Sequence, residues 1–431
     1  MLRGAVIRWG LALMGLAILV GCKSPDDGKV HLRYMAWGNV EQLALEQQLV
    51  DSFNRQNPDL HVELFKVPQS AYKNKMILMF ASRTSPDVVR VDHYDFPQLA
   101  ERNYFHELDE FIQGDLEFKL SDFFPAAVEE CKVNGKMQGL NVLFGGGIMF
   151  YNKKLLNEAG LDDPFELYKK GEWTYAKMRE YAIKTTKYDK SGRAQQFGVN
   201  MATMPFYFAT IQAFGGRFLN ETLDKCLLDS PEAIEAMQFL SDLRWKDKCC
   251  PTPAQGANSA FAFETGKLAL EFNYVGASAR YRQMITKFEW DICPLPDGPK
   301  GNSLFVKGNQ LIMYKETQHP KEAWRLMKFL TGPEAEQVLY VRERRQSPSR
   351  IALAFSDAYL HPKTPPFNME SVSMTVKEGT KLPIGPRWPE VMQVAGSELD
   401  NLFAGREKNA AESMKSTTAA VNKLLGEEPG F

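Results

Sequence analysis

Histidine, paired cysteines at metal-ligand spacing and any surplus of positive charge are all scarce in this chain. Lys and Arg number 52 against 53 Asp and Glu, a formal net charge of −1, so the basic footprint that a nucleic-acid surface needs is missing. Only six histidines occur, none at ligand spacing from a cysteine pair, so neither a metal centre nor a cofactor is expected. No Gly-x-Ser-x-Gly, His-Glu-x-x-His, Gly-x-Gly-x-x-Gly or P-loop pattern appears, which removes the usual sequence signals of hydrolase, zinc-protease and nucleotide chemistry. Repeats of fixed period are also missing, as is low complexity beyond a short polar stretch after Cys22. Aromatics, by contrast, make up 12% of the residues, which excludes long disorder. At 431 residues the chain exceeds the size at which a single core keeps growing, and two domains are expected.

The N-terminus has the layout of an export signal. Arg3 and Arg8 precede the apolar run Leu11–Val20, which is too short for a comfortable membrane span. Leu19-Val20-Gly21-Cys22 follows at once and resembles the lipobox of bacterial lipoproteins, in which the cysteine is acylated and becomes the new N-terminus. This predicts a signal peptide over 1–21, a lipidated Cys22, a tether over 22–29 and a cell-membrane lipoprotein facing the periplasm or exterior. Five further cysteines follow, and in an exported protein Cys226 could close a loop with Cys249 or Cys250.

Alternating and periodic stretches then follow one another. Val30–Trp37 reads as a strand and Val40–Asn57 as an amphipathic helix stopped by Asn57-Pro58. Leu60–Val67 is a second strand, Tyr72–Ala81 a helix and 86–91 a third strand. Strand–helix–strand order implies parallel pairing in an α/β sheet, whose ligands lie beyond the carboxyl ends of the strands. Those ends carry Trp37, Asn39, Asp92, His93 and Tyr94. Farther on, Gly145, Gly146 and Gly147 separate the apolar runs Leu140–Phe144 and Ile148–Tyr151. Two short strands with a bend between them, crossing from one lobe to another beside a cleft, is the expectation. A second bend is expected at Gly276, strands at Trp290–Pro296 and Gln310–Tyr314, and two closing helices broken near Gly405.

The segments FNRQNPDLHVEL, SPDVVRVD, FYNKKLLNEAGL, FETGKLALEF and PLPDGPKG resemble the extracellular solute-binding proteins of family 1, the sugar-type binding subunits of ABC importers. Lys321-Glu322-Ala323-Trp324 with Phe329-Leu330, and Arg387-Trp388-Pro389-Glu390 with Phe403-Ala404-Gly405, are similar to the family's late helix and closing segment. The matches run in order from about residue 30 to 425. The resemblance implies the α/β two-lobed periplasmic binding protein fold of type II, each lobe a sheet with helices on both faces, joined by a multi-crossing hinge. It places crossings near Asn141–Gly146, Asn273–Gly276 and Phe329–Glu336. The first lobe would then comprise 30–142 and 275–330, and the second 143–274 and 331–431.

Sugars are gripped by aromatic faces and by planar polar side chains aimed at adjacent hydroxyls. The cleft candidates are Trp37, Phe144, Tyr274 and Trp388 for stacking, Asn39, Asp92, Asn273, Asn309 and Arg387 for hydrogen bonding, Tyr94 at its strand end, and Gly146 for close approach. The expected partners are a mono- or oligosaccharide, the permease subunits of an ABC importer and the membrane holding the lipid anchor; the protein is expected to be a monomer without catalysis. Two rivals share these features: the same fold binding a phosphate ester or polyamine, and a secreted glycosidase or lyase using carboxylates such as Asp87, Asp92 and Asp95.

Overall fold

The computed structural model describes residues 27–427 except 202, 258, 345 and 408. The export segment and Cys22 lie outside the described residues. Strand β1 (Val30–Trp37) feeds helix α1 (Val40–Gln56), whose start is fixed by a capping box: Asn39 Oδ1 accepts from the Gln42 N–H at 2.8 Å, and Gln42 Oε1 accepts from the Asn39 N–H at 3.0 Å. Strand β2 (Leu60–Val67) alternates buried and outward residues and pairs parallel with β1 over its whole length. Helix α2 (Gln69–Ala81) returns to β3 (Val88–Asp92), which pairs parallel with β1. These elements enclose Tyr34, Val50, Phe53 and Val62 on one face of the sheet, and Met35, Tyr72, Phe80 and Val91 on the other.

The chain then runs into β4 (Leu140–Asn152), a single strand of 13 residues. Its first half pairs with β8 (Phe305–Met313), and its second half pairs with β6 (Leu268–Tyr274) and β7 (Trp290–Cys293). Strand β5 (Ala194–Val199) continues the sheet beyond β6, so the order is β2-β1-β3-β8-β4-β6-β5. One sheet therefore traverses both lobes. The second lobe packs Tyr151, Trp173, Phe206, Met237, Leu270 and Trp388 in one core and Phe150, Phe197, Tyr281 and Trp290 in another. The two closing helices are Trp388–Phe403 and Ala410–Gly426, with Gly405 left-handed between them. No helix among the described residues is long and apolar enough to cross a membrane.

Three expectations need correction. The glycine triplet does not divide two short strands, because β4 is continuous through it. Its glycines are selected by space: a β-carbon on Gly146 would overlap the Phe305 carbonyl oxygen and lie 2.5 Å from Thr375 Cγ2, and one on Gly147 would lie 2.5 Å from the Phe305 ring. The lobe boundaries also shift. Val275, Tyr281, Trp290 and Ile292 pack with Phe150 in the second lobe, so the chain does not cross at 273–276. It returns along β8, where Phe305 belongs to the second-lobe core and Leu311 and Met313 to the first. The last crossing comes later than residue 336 as well: Leu330, Ala335, Leu339 and Tyr340 pack in the first lobe, and Val341, in the wide helical turn Gln337–Arg342, in the second. Finally, the described cysteines Cys131, Cys226, Cys249, Cys250 and Cys293 are all unpaired and buried. Cys226 faces Thr418 and Asn422 of the last helix, whereas the Cys249 thiol donates to the Leu243 carbonyl at 3.3 Å, so the two serve separate contacts.

Candidate functional site

The carboxyl ends of β1 and β3, together with β8, open into a cleft of about 600 Å³ whose far wall carries Gly276, Ala279, Glu343 and Gln346. Trp37, Asn39 and Asn309 line it, as the strand-end argument predicts. Trp37 is held from below by an ion pair inside the first lobe. Arg90 Nη1 donates to Glu46 Oε1 at 2.7 Å, Arg90 Nη2 donates to the Trp37 carbonyl, and the guanidinium carbon lies 4.3 Å from the Trp37 ring centroid. Tyr72, 4.5 Å from the Trp37 ring, is itself fixed by hydrogen bonds to the Met35 and Arg90 carbonyls at 3.1 and 2.6 Å. Burial opposes the Arg90 charge, but Glu46, the largest of several groups that favour it, helps to hold the Arg90 pKa above its ordinary value. A cation fixed under an indole ring pre-sets that ring, which lowers the ordering cost of a stacking ligand.

Asn309 stands opposite Asp92 in the β3–β8 register. Asp92 Oδ1 accepts from the Tyr94 N–H at 3.0 Å and lies 3.2 Å from His93 Nδ1. Burial raises its pKa, but His93, the Tyr94 N–H and Lys307 together hold the carboxyl well below the usual range. Lys307 sits between Tyr94 and Tyr274, 5.7 and 4.1 Å from their ring centroids, so Asp92, Tyr94 and Tyr274 converge on one ammonium group. Burial lowers the Lys307 pKa, with Asp92 and Glu130 opposing the shift.

The structure does not bring the other expected residues into this constellation. Phe144 is buried with Phe124, Val306 and Val376, because strand alternation turns it away from the face of Leu143 and Asn309. Gly146 is covered by Phe305 and Thr375. Asn273 serves its own chain: Oδ1 accepts from the Tyr274 N–H at 2.8 Å and Nδ2 donates to Tyr281 Oη at 3.2 Å. Arg387 Nη1 donates to the carbonyls of Leu424 and Glu427 at 2.5 and 2.6 Å, closing the end of the last helix. Trp388 is 1% exposed, packed on Phe208 and Phe218, and reaches the cleft region only by backing Tyr94 at 6.4 Å. Sequence reasoning missed Arg90, Lys307 and the amides Gln42, Gln48, Gln69 and Gln346. Arg90 carried a signal, a lone charge inside the apolar run Val88-Val89-Arg90-Val91.

A family model described as bacterial extracellular solute-binding protein matches residues 37–337. The chain belongs to this family. Among similar proteins, the solute-binding protein is 24% identical over 364 residues to the maltotriose-binding protein of Pyrococcus abyssi, covering 79% of this chain and 74% of that one. It is 25% identical to the multiple sugar-binding protein of Streptococcus mutans over 384 residues, covering 81% and 87%. Its fold matches that of an ABC substrate-binding protein from Listeria monocytogenes in complex with cycloalternan, with TM-score 0.81 at 22% identity over 93% of this chain and all of that one. A maltose-bound protein of T. maritima superposes with TM-score 0.73 at 22% identity, covering 92% of this chain and all of that one. The fold of the solute-binding protein is thus the two-lobed α/β type, with β4 and β8 as the strands shared by both lobes.

Proposed function

We propose that this protein is the extracytoplasmic binding subunit of an ABC importer, capturing a mono- or oligosaccharide between its lobes and passing it to the permease. The observation that carries this reading is the cleft itself. It is bounded by both lobes, furnished with amide side chains suited to ring hydroxyls and provided with an indole, Trp37, mounted on Arg90. The names of its relatives point the same way. Trp37, Asn39 and Asn309 would hold the ligand at the cleft wall, with Asp92, Tyr94 and Tyr274 deeper. The mechanism is differential affinity for open and closed arrangements of the lobes about the shared strands, with no chemical step. Export through the N-terminal signal and acylation of Cys22 would tether the body to the membrane.

A thermal-shift screen of the purified protein against mono- and oligosaccharides tests this. A ligand that binds only the folded state stabilises it by about 2.7 kcal/mol at a hundredfold excess over Kd, a readily measured rise in Tm. Shifts from polyamines or phosphate esters, with none from any sugar, would overturn the carbohydrate assignment and leave the fold standing.

A further inference from the structure

Lys307 and Asn309 lie two residues apart on β8 and therefore share a face, which puts the Lys307 side chain on the side of the sheet from which Asn309 lines the cleft. There the ammonium rests between one aromatic of each lobe, Tyr94 following β3 and Tyr274 ending β6. The hydroxyl oxygens of both tyrosines are buried and have no hydrogen-bond partner. No carboxylate among the described residues forms an ion pair with Lys307. Asp92, which accepts from the Tyr94 N–H, and Glu130 favour the Lys307 charge from farther off without pairing with it. The other cation of the cleft, Arg90, is matched by Glu46 at 2.7 Å. Two aromatic faces ease the burial of an ammonium group but do not neutralise it. Hydroxyls of a neutral sugar would satisfy the two phenols and leave the ammonium without a direct counter-ion, whereas an oxyanion would satisfy all three groups at once.

We propose that the solute is an acidic carbohydrate whose oxyanion, a ring carboxylate or an ester group, seats on Lys307 between Tyr94 and Tyr274. This rests on the carbohydrate reading above and adds the charge class of the ligand. Glu41 and Glu343 line the wider cleft, so the negative group belongs at Lys307 and the neutral part of the sugar along the Trp37 wall.

Titration calorimetry of the full chain with linkage-matched disaccharides in neutral, uronate and O-sulfated forms tests the inference. An acidic form should bind at least about tenfold tighter than its neutral counterpart, as expected for a charge-assisted hydrogen bond, and should lose that advantage as salt is raised. Lys307→Gln should abolish the preference, and Lys307→Arg should keep it. Tighter uronate binding assigns a carboxylate, and tighter sulfate binding assigns an ester. Neutral sugars binding as well as acidic ones, or an unchanged preference in a folded Lys307→Gln variant, overturns the inference and leaves the carbohydrate reading intact. Silence toward every sugar, neutral or acidic, overturns both. If Lys307→Gln fails to fold, the wild-type preference and its salt dependence decide alone.

Discussion

Three adjacent glycines offer a test in which neighbours in sequence should behave differently. None of Gly145, Gly146 and Gly147 has a positive φ, so an added methyl group acts only through the space it fills. At Gly146 the obstacle is the Phe305 carbonyl of the paired strand β8, with Thr375 beside it. Backbone in the middle of a ladder cannot step aside without breaking the β4–β8 register. Gly146→Ala should therefore cost about 1–3 kcal/mol, the usual range for overpacking a close-packed interior. At Gly145 the obstacle is the far end of a flexible side chain, Gln346 Oε1 at 2.5 Å. Gly145→Ala should leave stability within about 0.5 kcal/mol of wild type, because Gln346 can rotate away. Gln346 lines the cleft, so the same change should weaken solute binding. Urea unfolding reads the first effect and calorimetry with the bound sugar the second. Equal stability losses at both positions, or a Gly146→Ala protein as stable as wild type, would refute the claim that steric room alone selects these glycines.

Trp37→Ala should weaken sugar binding by about tenfold or more, the scale of losing a buried aromatic anchor, with far-UV circular dichroism unchanged. Arg387→Ala should leave affinity untouched and lower the urea midpoint, since its charged donors close the last helix at about 1.5–3 kcal/mol per hydrogen bond at most. Burial raises the Glu336 carboxyl to about 7 from 4.5, against the opposing hydrogen bonds of Ser349 and Arg350. Between those values the folded state holds a proton that the unfolded state releases, so this group's contribution to stability falls as pH rises from 4.5 to about 7. Unfolding midpoints measured across that window should decline more steeply in wild type than in Glu336→Gln. Cys22→Ser should move the protein from the membrane fraction to the soluble fraction on cell fractionation.

Much of the first lobe was legible because its signals are local. The alternation in Leu60–Val67 and the Asn57-Pro58 stop report structure within a few residues, and β1, α1, β2 and β3 fall where those patterns place them. The crossings were less legible because their signals are shared between distant segments. Gly145–Gly147 look like a bend in isolation; their actual reason, the proximity of Phe305, Thr375 and Phe206, lies in chain some 60 to 230 residues away. The start of β8 was hidden in the same way. The expected strand opens at Gln310, yet β8 opens at Phe305, and Gly308 is needed where Asn141 and the Leu143 carbonyl press on the strand.

Of the site candidates, those that came from geometry fared differently from those that came from residue type. Trp37, Asn39 and Asp92 were placed at strand ends in a parallel sheet, and the sheet delivers them to one opening or its immediate neighbour. Arg387 and Trp388 were chosen as a sugar-friendly pair in an irregular segment, and both are committed to internal contacts instead. Residue type alone cannot separate the two cases, because an arginine that binds a hydroxyl and one that closes a helix offer the same donors. What separates them is whether the donors are already satisfied. By that criterion the informative residues are Tyr94 and Tyr274, whose hydroxyls find no partner in the protein, and Lys307, which lies between their rings without an ion pair.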